Sequence, residues 1–366
     1  MTDRSALKVV VAPDKFAGTM SAAEAAAAIA DGWRSRRPDD VIVEVPMADG
    51  GAGTLDVVAG VVRGAERVEV EVADAIGRAR QASWLRLTDG RALVEAAESC
   101  GLAWLADDER NPRRTTTYGV GQLLLAAQQA RPTEIVIGLG GSATSDGGAG
   151  MALALGNRLL RADGNGLKVG GEHLIDLASV EHTVPDLAPV IIARDVSNPL
   201  LGPDGAVAVF APQKGASESD LPVLEAALEH FADVVERDVP GGPWRDEEGA
   251  GAAGGLGFGL LAFCGAHITN GAEAVASLVG LDGHLREADV VIAGEGKLDD
   301  QTMAGKTPAF VAEAGRRAGA RVLAVAGQLE GAGATLFDAV GILGREGLRQ
   351  PVKLTAQRAA ELAAAL

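Results

Sequence analysis

Six carboxylates at the ends of predicted strands, Asp14, Asp49, Asp146, Asp195, Glu295 and Asp299, are interleaved with four lysines, Lys15, Lys214, Lys297 and Lys306, in or beside glycine-containing loops. Each carboxylate alone reads as a cap or a turn residue. Together with the lysines they suit phosphoryl transfer, which needs Mg2+ ligands, cations for phosphate oxygens and one base for the acceptor hydroxyl. Only seven of the 33 basic residues are lysine. A chain that otherwise uses arginine thus keeps the compact ammonium, a flexible point charge for phosphate, at these places.

The densest motif is residues 135–151, Ile-Val-Ile-Gly-Leu-Gly-Gly-Ser-Ala-Thr-Ser-Asp-Gly-Gly-Ala-Gly-Met. It runs from an apolar strand through six glycines into a helical pattern. Gly140, Gly141, Gly147 and Gly148 allow backbone N–H groups to turn toward an anion, and Ser142 and Thr144 add hydroxyl donors. The helix start adds partial positive charge. Asp146 is the odd member, because a carboxylate beside a phosphate cradle repels the ligand unless it holds a metal or takes a proton. The competing reading is a tight strand-to-helix turn with an Asp/Ser cap. A second glycine-dense stretch, 249–257, carries no charge and reads equally as close helix packing or as a ligand site. Gly138-Leu-Gly140-Gly-Ser-Ala143 fits a dinucleotide fingerprint weakly, with Asp163 near the distance of a ribose carboxylate but in a turn. Ala304-Gly-Lys-Thr307 imitates the end of a Walker A loop, yet Asp300 stands where its first glycine should be, which excludes a P-loop NTPase.

The elements that must hold these residues follow a strand–loop–helix grammar. Apolar runs at 8–12 and 41–45 each lead into a loop and a helix, the first opened by the capping box Ser21-Ala-Ala-Glu24. Near Arg67 the pattern changes to alternating valines and glutamates and then a hairpin around Asp89-Gly90. Strands are expected at 190–193 and 207–210, a long helix at 221–239, and a loop at 294–302. Doubly wound grammar returns after Leu285 with strands at 289–293, 321–326 and 340–343 and a closing helix at 355–366. The expected fold is therefore α/β. A discontinuous Rossmann- or flavodoxin-like parallel-sheet domain, 1–68 and 286–366, carries an inserted mixed α/β domain, 69–285, with the glycine-rich loops.

Composition narrows the function. A net charge of −17 argues against nucleic-acid or anionic-membrane partners. No apolar run reaches transmembrane length and no signal-peptide pattern opens the chain, so a cytoplasmic protein is expected. Five scattered histidines and two distant cysteines, Cys100 and Cys264, give no zinc spacing.

Val11-Ala-Pro-Asp-Lys-Phe-Ala-Gly-Thr-Met-Ser21, Pro46-Met-Ala-Asp-Gly-Gly-Ala-Gly-Thr54, the 138–151 stretch, Asp195-Val-Ser-Asn-Pro-Leu200, the 205–215 stretch and the 294–302 stretch resemble the bacterial type I glycerate kinases. The similarity runs in order from about Lys8 to Gly327. It implies ATP-dependent phosphorylation of D-glycerate with Mg2+, a product that is usually 2-phosphoglycerate, and an active site in the cleft between a Rossmann-like domain and its insertion. The chain departs from the family at Ala17 and Ala52, usually Lys and Glu, and at Ser145, usually Asn. The first two departures are read together, as the loss of a structural ion pair.

On this reading ATP phosphates lie against Gly140, Gly141, Ser142, Thr144, Gly147 and Gly148, with Glu295 and Lys306 as further nucleotide contacts. Glycerate lies near Asp14, Asp49, Lys214, Lys297 and Asp299. Asp146 and Asp299 are the metal candidates. Asp195, Asp146 and Lys15 are the catalytic candidates, with Asp195 preferred as base because it ends a strand beside an Asn-Pro turn. A homodimer is left open. The rival functions are an NAD(P)-dependent oxidoreductase, resting on 138–143 alone, and a non-catalytic phospho-ligand sensor.

Overall fold

The computed structural model describes residues 6–300, 302 and 306–366. The apolar runs at the two ends of the chain become one wholly parallel five-stranded sheet, in the order Ala339–Ile342, Arg321–Leu329, Val290–Leu298, Lys8–Pro13, Val41–Glu44. Numbered by appearance in this sheet, the order is 2-1-3-4-5, the doubly wound order of flavodoxin-like folds. Its topological switch point lies between Lys8–Pro13 and Val290–Leu298, which pair in register from Val9 with Val290 to Pro13 with Gly294. Val9, Val11, Ile292, Leu323 and Val325 are buried with Phe16, Ile29 and Trp33, because helices cover a parallel sheet and leave its strands no polar face. The helix Ala22–Arg34 opens with the expected capping box. The Ser21 hydroxyl accepts from Glu24 N–H at 3.2 Å, and Glu24 accepts from Ser21 N–H at 2.8 Å.

The chain divides into two compact units. The first comprises Met1–Asp49, Asp56–Arg63 and Asn270–Leu366, and the second comprises Gly50–Leu55 and Gly64–Thr269. The second is built on a six-stranded mixed sheet, ordered His267–Asn270, Val190–Arg194, Ile135–Gly138, Ala92–Glu95, Ala79–Arg86, Glu66–Ala73. Its middle strands run parallel, the last two pair antiparallel, and the hairpin expected around Asp89-Gly90 joins Ala79–Arg86 to Ala92–Glu95. Phe231, Phe258 and Phe263 fill its core on one side, beside the long helix Leu221–Asp238.

Two sequence expectations change here. Residues 206–210 form a short helix, Ala206–Phe210, not a strand, since an apolar run of four has no period to tell the two apart. The expected loop at 294–298 continues the strand to Leu298, paired with Leu329. Its glycines read as breakers but serve close approach instead: a Cβ on Gly327 would lie 2.3 Å from the Gly296 carbonyl oxygen. Asn270 caps the helix Gly271–Val279 by accepting from Glu273 N–H.

Candidate active site

In the first unit, the parallel strands deliver charged residues to their carboxyl ends. Asp14 follows Lys8–Pro13, and its N–H donates to the Gly294 carbonyl of the neighbouring strand at 2.8 Å. Its carboxylate, 5% exposed, accepts from Lys15 N–H at 2.6 Å. Burial, and then the negative charge of Asp49, push its pKa up to about 6, against the opposing pull of the Thr307 hydroxyl and Lys15. Glu295 is pushed up to about 7 by burial and by Asp14, Asp299 and Asp49, with Lys306 opposing. Lys15 Nζ stands 3.7 Å from Asp49. Lys297 Nζ pairs with Glu330 at 2.8 Å and with Asp299 at 3.6 Å. Asp299 is fixed by reciprocal bonds with Thr302: its N–H donates to Thr302 Oγ1 at 3.0 Å, and its carboxylate accepts from Thr302 N–H at 3.2 Å. Asp14, Lys15, Asp49, Glu295, Lys297, Asp299 and Lys306 therefore gather at one end of one sheet, around its switch point. Of the Walker-like stretch, Ala304 and Gly305 lie outside the described residues.

In the second unit, the glycine stretch splits into an accessible tip and a buried base. Gly140 and Gly141 reach the surface, whereas every residue from Ser142 to Gly150 is buried. Exposed Asp195 joins the tip: a Cβ on Gly140 would lie 3.4 Å from its carboxylate and only 2.6 Å from the Gly51 Cα. Glycine at 140 is thus required by backbone packed on backbone.

The base is a structural assembly, whose polar groups bond within the chain. Asp146 is 1% exposed, and its carboxylate accepts from Thr117 N–H at 2.8 Å, Thr117 Oγ1 at 3.0 Å, Gly148 N–H at 3.2 Å and Gly150 N–H at 3.1 Å. A metal or a substrate proton would have to displace these donors, so the geometry fits a fastener of the loop, not a base or a metal ligand. Burial still raises its pKa, with the four donors opposing. Lys214, expected on the substrate, is 2% exposed. Its ammonium donates to the Thr144 carbonyl at 2.6 Å and to Ser142 Oγ at 3.1 Å. Burial lowers its pKa to about 8, with Cys100 and Asp146 opposing. Gly147 and Gly148 serve packing too: a Cβ on Gly147 would meet the Phe231 ring at 2.9 Å, and one on Gly148 would meet Gly259 Cα at 2.9 Å. The second glycine stretch is what presses on the first, with a Cβ on Gly254 falling 1.9 Å from the Thr144 carbonyl oxygen. Both stretches are therefore glycine-rich for one reason.

The dinucleotide fingerprint dissolves in the same contacts. Gly138 packs on the Gly50 carbonyl, and Asp163 sits in an exposed turn bonded to Asn165 and Arg161. Ala17 belongs to the first unit and Ala52 to the second. Ser145 is fully buried, and its hydroxyl has no hydrogen-bond partner among the described residues. Two residues escaped the sequence reading. Thr117 closes the Asp146 cradle, and its signal was the run Thr115-Thr-Thr117. Glu95 is a buried carboxylate whose signal was a lone charge inside Ala92-Leu-Val-Glu-Ala-Ala97.

Carboxylates and lysines at the switch point of a doubly wound sheet in one unit, and a glycine turn with an exposed aspartate in the other, are the equipment of a small-molecule phosphotransferase. The model of the glycerate kinase family matches residues 9–363. Glycerate 2-kinase of Escherichia coli (strain K12) is 40% identical over 352 residues, 93% of this chain and 89% of that protein. Glycerate kinase of Bacillus subtilis (strain 168) is 43% identical over 328 residues, 88% and 85% of the two chains. A crystal structure from Salmonella typhimurium LT2, designated glycerate kinase 2, superposes with a TM-score of 0.87 at 38% identity over 98% of both chains. The chain belongs to the glycerate kinase family.

Proposed function

We propose that this enzyme transfers the γ-phosphoryl group of ATP to the 2-hydroxyl of D-glycerate, giving 2-phosphoglycerate, with Mg2+ as cofactor. The observation that carries the reading is the cluster of Asp14, Lys15, Asp49, Glu295, Asp299 and Lys306 at the switch point, in a chain of this family. Lys15 and Lys306 supply positive charge for phosphate or the glycerate carboxylate, and Asp14 and Asp49 accept from substrate hydroxyls. The amides of Gly140 and Gly141 face phosphate oxygens. Asp195, exposed at its strand end, takes the proton of the acceptor hydroxyl as the new O–P bond forms.

Among the described residues, no group of three or more His, Cys, Asp or Glu side chains is arranged to hold a metal ion. Mg2+ keeps several waters and binds through one or two carboxylates plus substrate phosphates. Glu295 and Asp299 fit it best. They are hard oxygen donors, and a dication would offset both the burial and the neighbouring negative charges that raise the Glu295 pKa. Bound there, Mg2+ would neutralise charge on the phosphate chain.

The test is a coupled assay of ADP release with D-glycerate, L-glycerate and no acceptor, with the product ester assigned by 31P NMR. Turnover with D-glycerate and a 2-phosphate ester is expected. Acceptor-independent ADP release, or a 3-phosphate ester, would overturn the corresponding part of the proposal.

A further inference from the structure

Glu95 ends the strand Ala92–Glu95, in register with Gly138 at the mouth of the glycine turn. It is 5% exposed. A carboxylate so buried must be stabilised by donors. Its two oxygens each take one backbone N–H from a segment 40 residues earlier: Oε1 accepts from Leu55 at 2.6 Å and Oε2 from Gly53 at 3.3 Å. These are N–H groups at the start of the helix Thr54–Val61. Thr54, the first helical residue, turns its hydroxyl back to the Gly51 carbonyl at 2.7 Å. Glu95 is the cap, supplied from another strand.

The segment so held is the one packed on the glycine turn. A Cβ on Gly138 would lie 2.4 Å from the Gly50 carbonyl oxygen, and one on Gly140 would lie 2.6 Å from Gly51 Cα. Backbone against backbone has no interlocking side chains to set its register, so a directional bond from outside must do so. We propose that Glu95 is a positioning residue of the phosphoryl-transfer site. By fixing the amides of Gly53 and Leu55 it sets the 50–53 backbone against Gly138 and Gly140, and with it the surroundings of Asp195. The inference rests on the reading of Asp195 as the base.

The test compares wild type, Glu95→Gln and Glu95→Ala in the full-length protein. Glu95→Gln keeps the shape but turns an NH2 toward one of the two N–H groups, and Glu95→Ala removes both acceptors. Amide exchange over 50–56 is measured alongside exchange over the central strand 290–298 as an internal reference. Steady-state kcat for D-glycerate is measured per folded enzyme. Exchange at Gly53 and Leu55 should rise about tenfold or more in the order Ala, Gln, wild type, with the reference strand unchanged. The kcat should fall in the same order, by roughly 10- to 100-fold, as expected for a small misplacement of reacting groups. Unchanged exchange at 53 and 55 would overturn the anchoring. A loss of turnover no larger than the loss of folded protein would overturn the link to catalysis. If wild type showed no glycerate turnover, the functional reading would fail while the exchange arm still decided the anchoring.

Discussion

Glu295→Gln should make the free protein more stable at pH 8 while crippling it as a kinase. In the folded chain the Glu295 carboxyl is pushed from 4.5 to about 7, chiefly by burial and then by Asp14, Asp299 and Asp49, against Lys306. A raised carboxyl pKa means that the native state binds more protons than the unfolded state in the window from about 4.5 to 7. Stability is therefore lost as pH rises through that window. The full loss at pH 8 is about 3 kcal/mol at roughly 1.4 kcal/mol per pKa unit. Glutamine has nearly the same shape and no charge, so the variant escapes the penalty. Urea unfolding of both proteins across pH 4–8 measures the difference. It should be near zero at the acid end and grow to about 2–3 kcal/mol in favour of the variant at pH 8. Added Mg2+ should shrink the gap by stabilising the wild type selectively. A difference that does not change with pH, or a variant less stable at pH 8, would refute the stored repulsion.

Asp195→Asn should lower kcat by roughly 10²–10⁴-fold with little change in KM, and near-wild-type turnover would remove Asp195 as the base. Asp146→Ala should act on folding. It strands the buried N–H groups of Thr117, Gly148 and Gly150, costing about 3 kcal/mol or more in urea unfolding, and a well-folded variant with lost turnover would contradict the fastener role. Lys214→Met should show the opposite pH signature to Glu295→Gln. The Lys214 pKa is lowered to about 8, so the unfolded state binds more protons from there to about 10.5. Wild-type stability should then gain up to about 3 kcal/mol on the variant across that window, and a flat difference would count against a buried ammonium.

The parallel sheet was legible because its strands are unbroken apolar runs followed by glycine or aspartate, and doubly wound order puts such ends on one edge. The same reasoning puts Asp14, Lys15 and Asp49 beyond the carboxyl ends of the first two strands. It could not sort the glycine stretch. Glycines that cradle an anion and glycines that admit a packed neighbour are the same residue in a sequence, and burial against Phe231 and Gly259 separates Gly147 and Gly148 from the accessible Gly140 and Gly141. Lys214 misled for a related reason. A lysine beside a glycine reads as a solvent cation, whereas here it spans 70 residues of sequence to the Thr144 carbonyl. Glu95 was passed over because caps are sought just before a helix, and this one arrives 40 residues after it.

The parallel sheet has a consequence for biosynthesis. Val9 pairs with Val290, so the strand that will lie mid-sheet is made early and its partner very late. At about 5–20 residues per second, the 280 intervening residues take on the order of 15–55 s to emerge. Through that interval Lys8–Pro13 has only Val41–Glu44 beside it, a two-stranded ribbon with an apolar open edge. Residues 64–269 are contiguous and can condense while the ribbon waits. The nascent chain is thus a folded insertion trailing an unfinished sheet, and its first fifty residues are where a holding chaperone, or aggregation in its absence, would act.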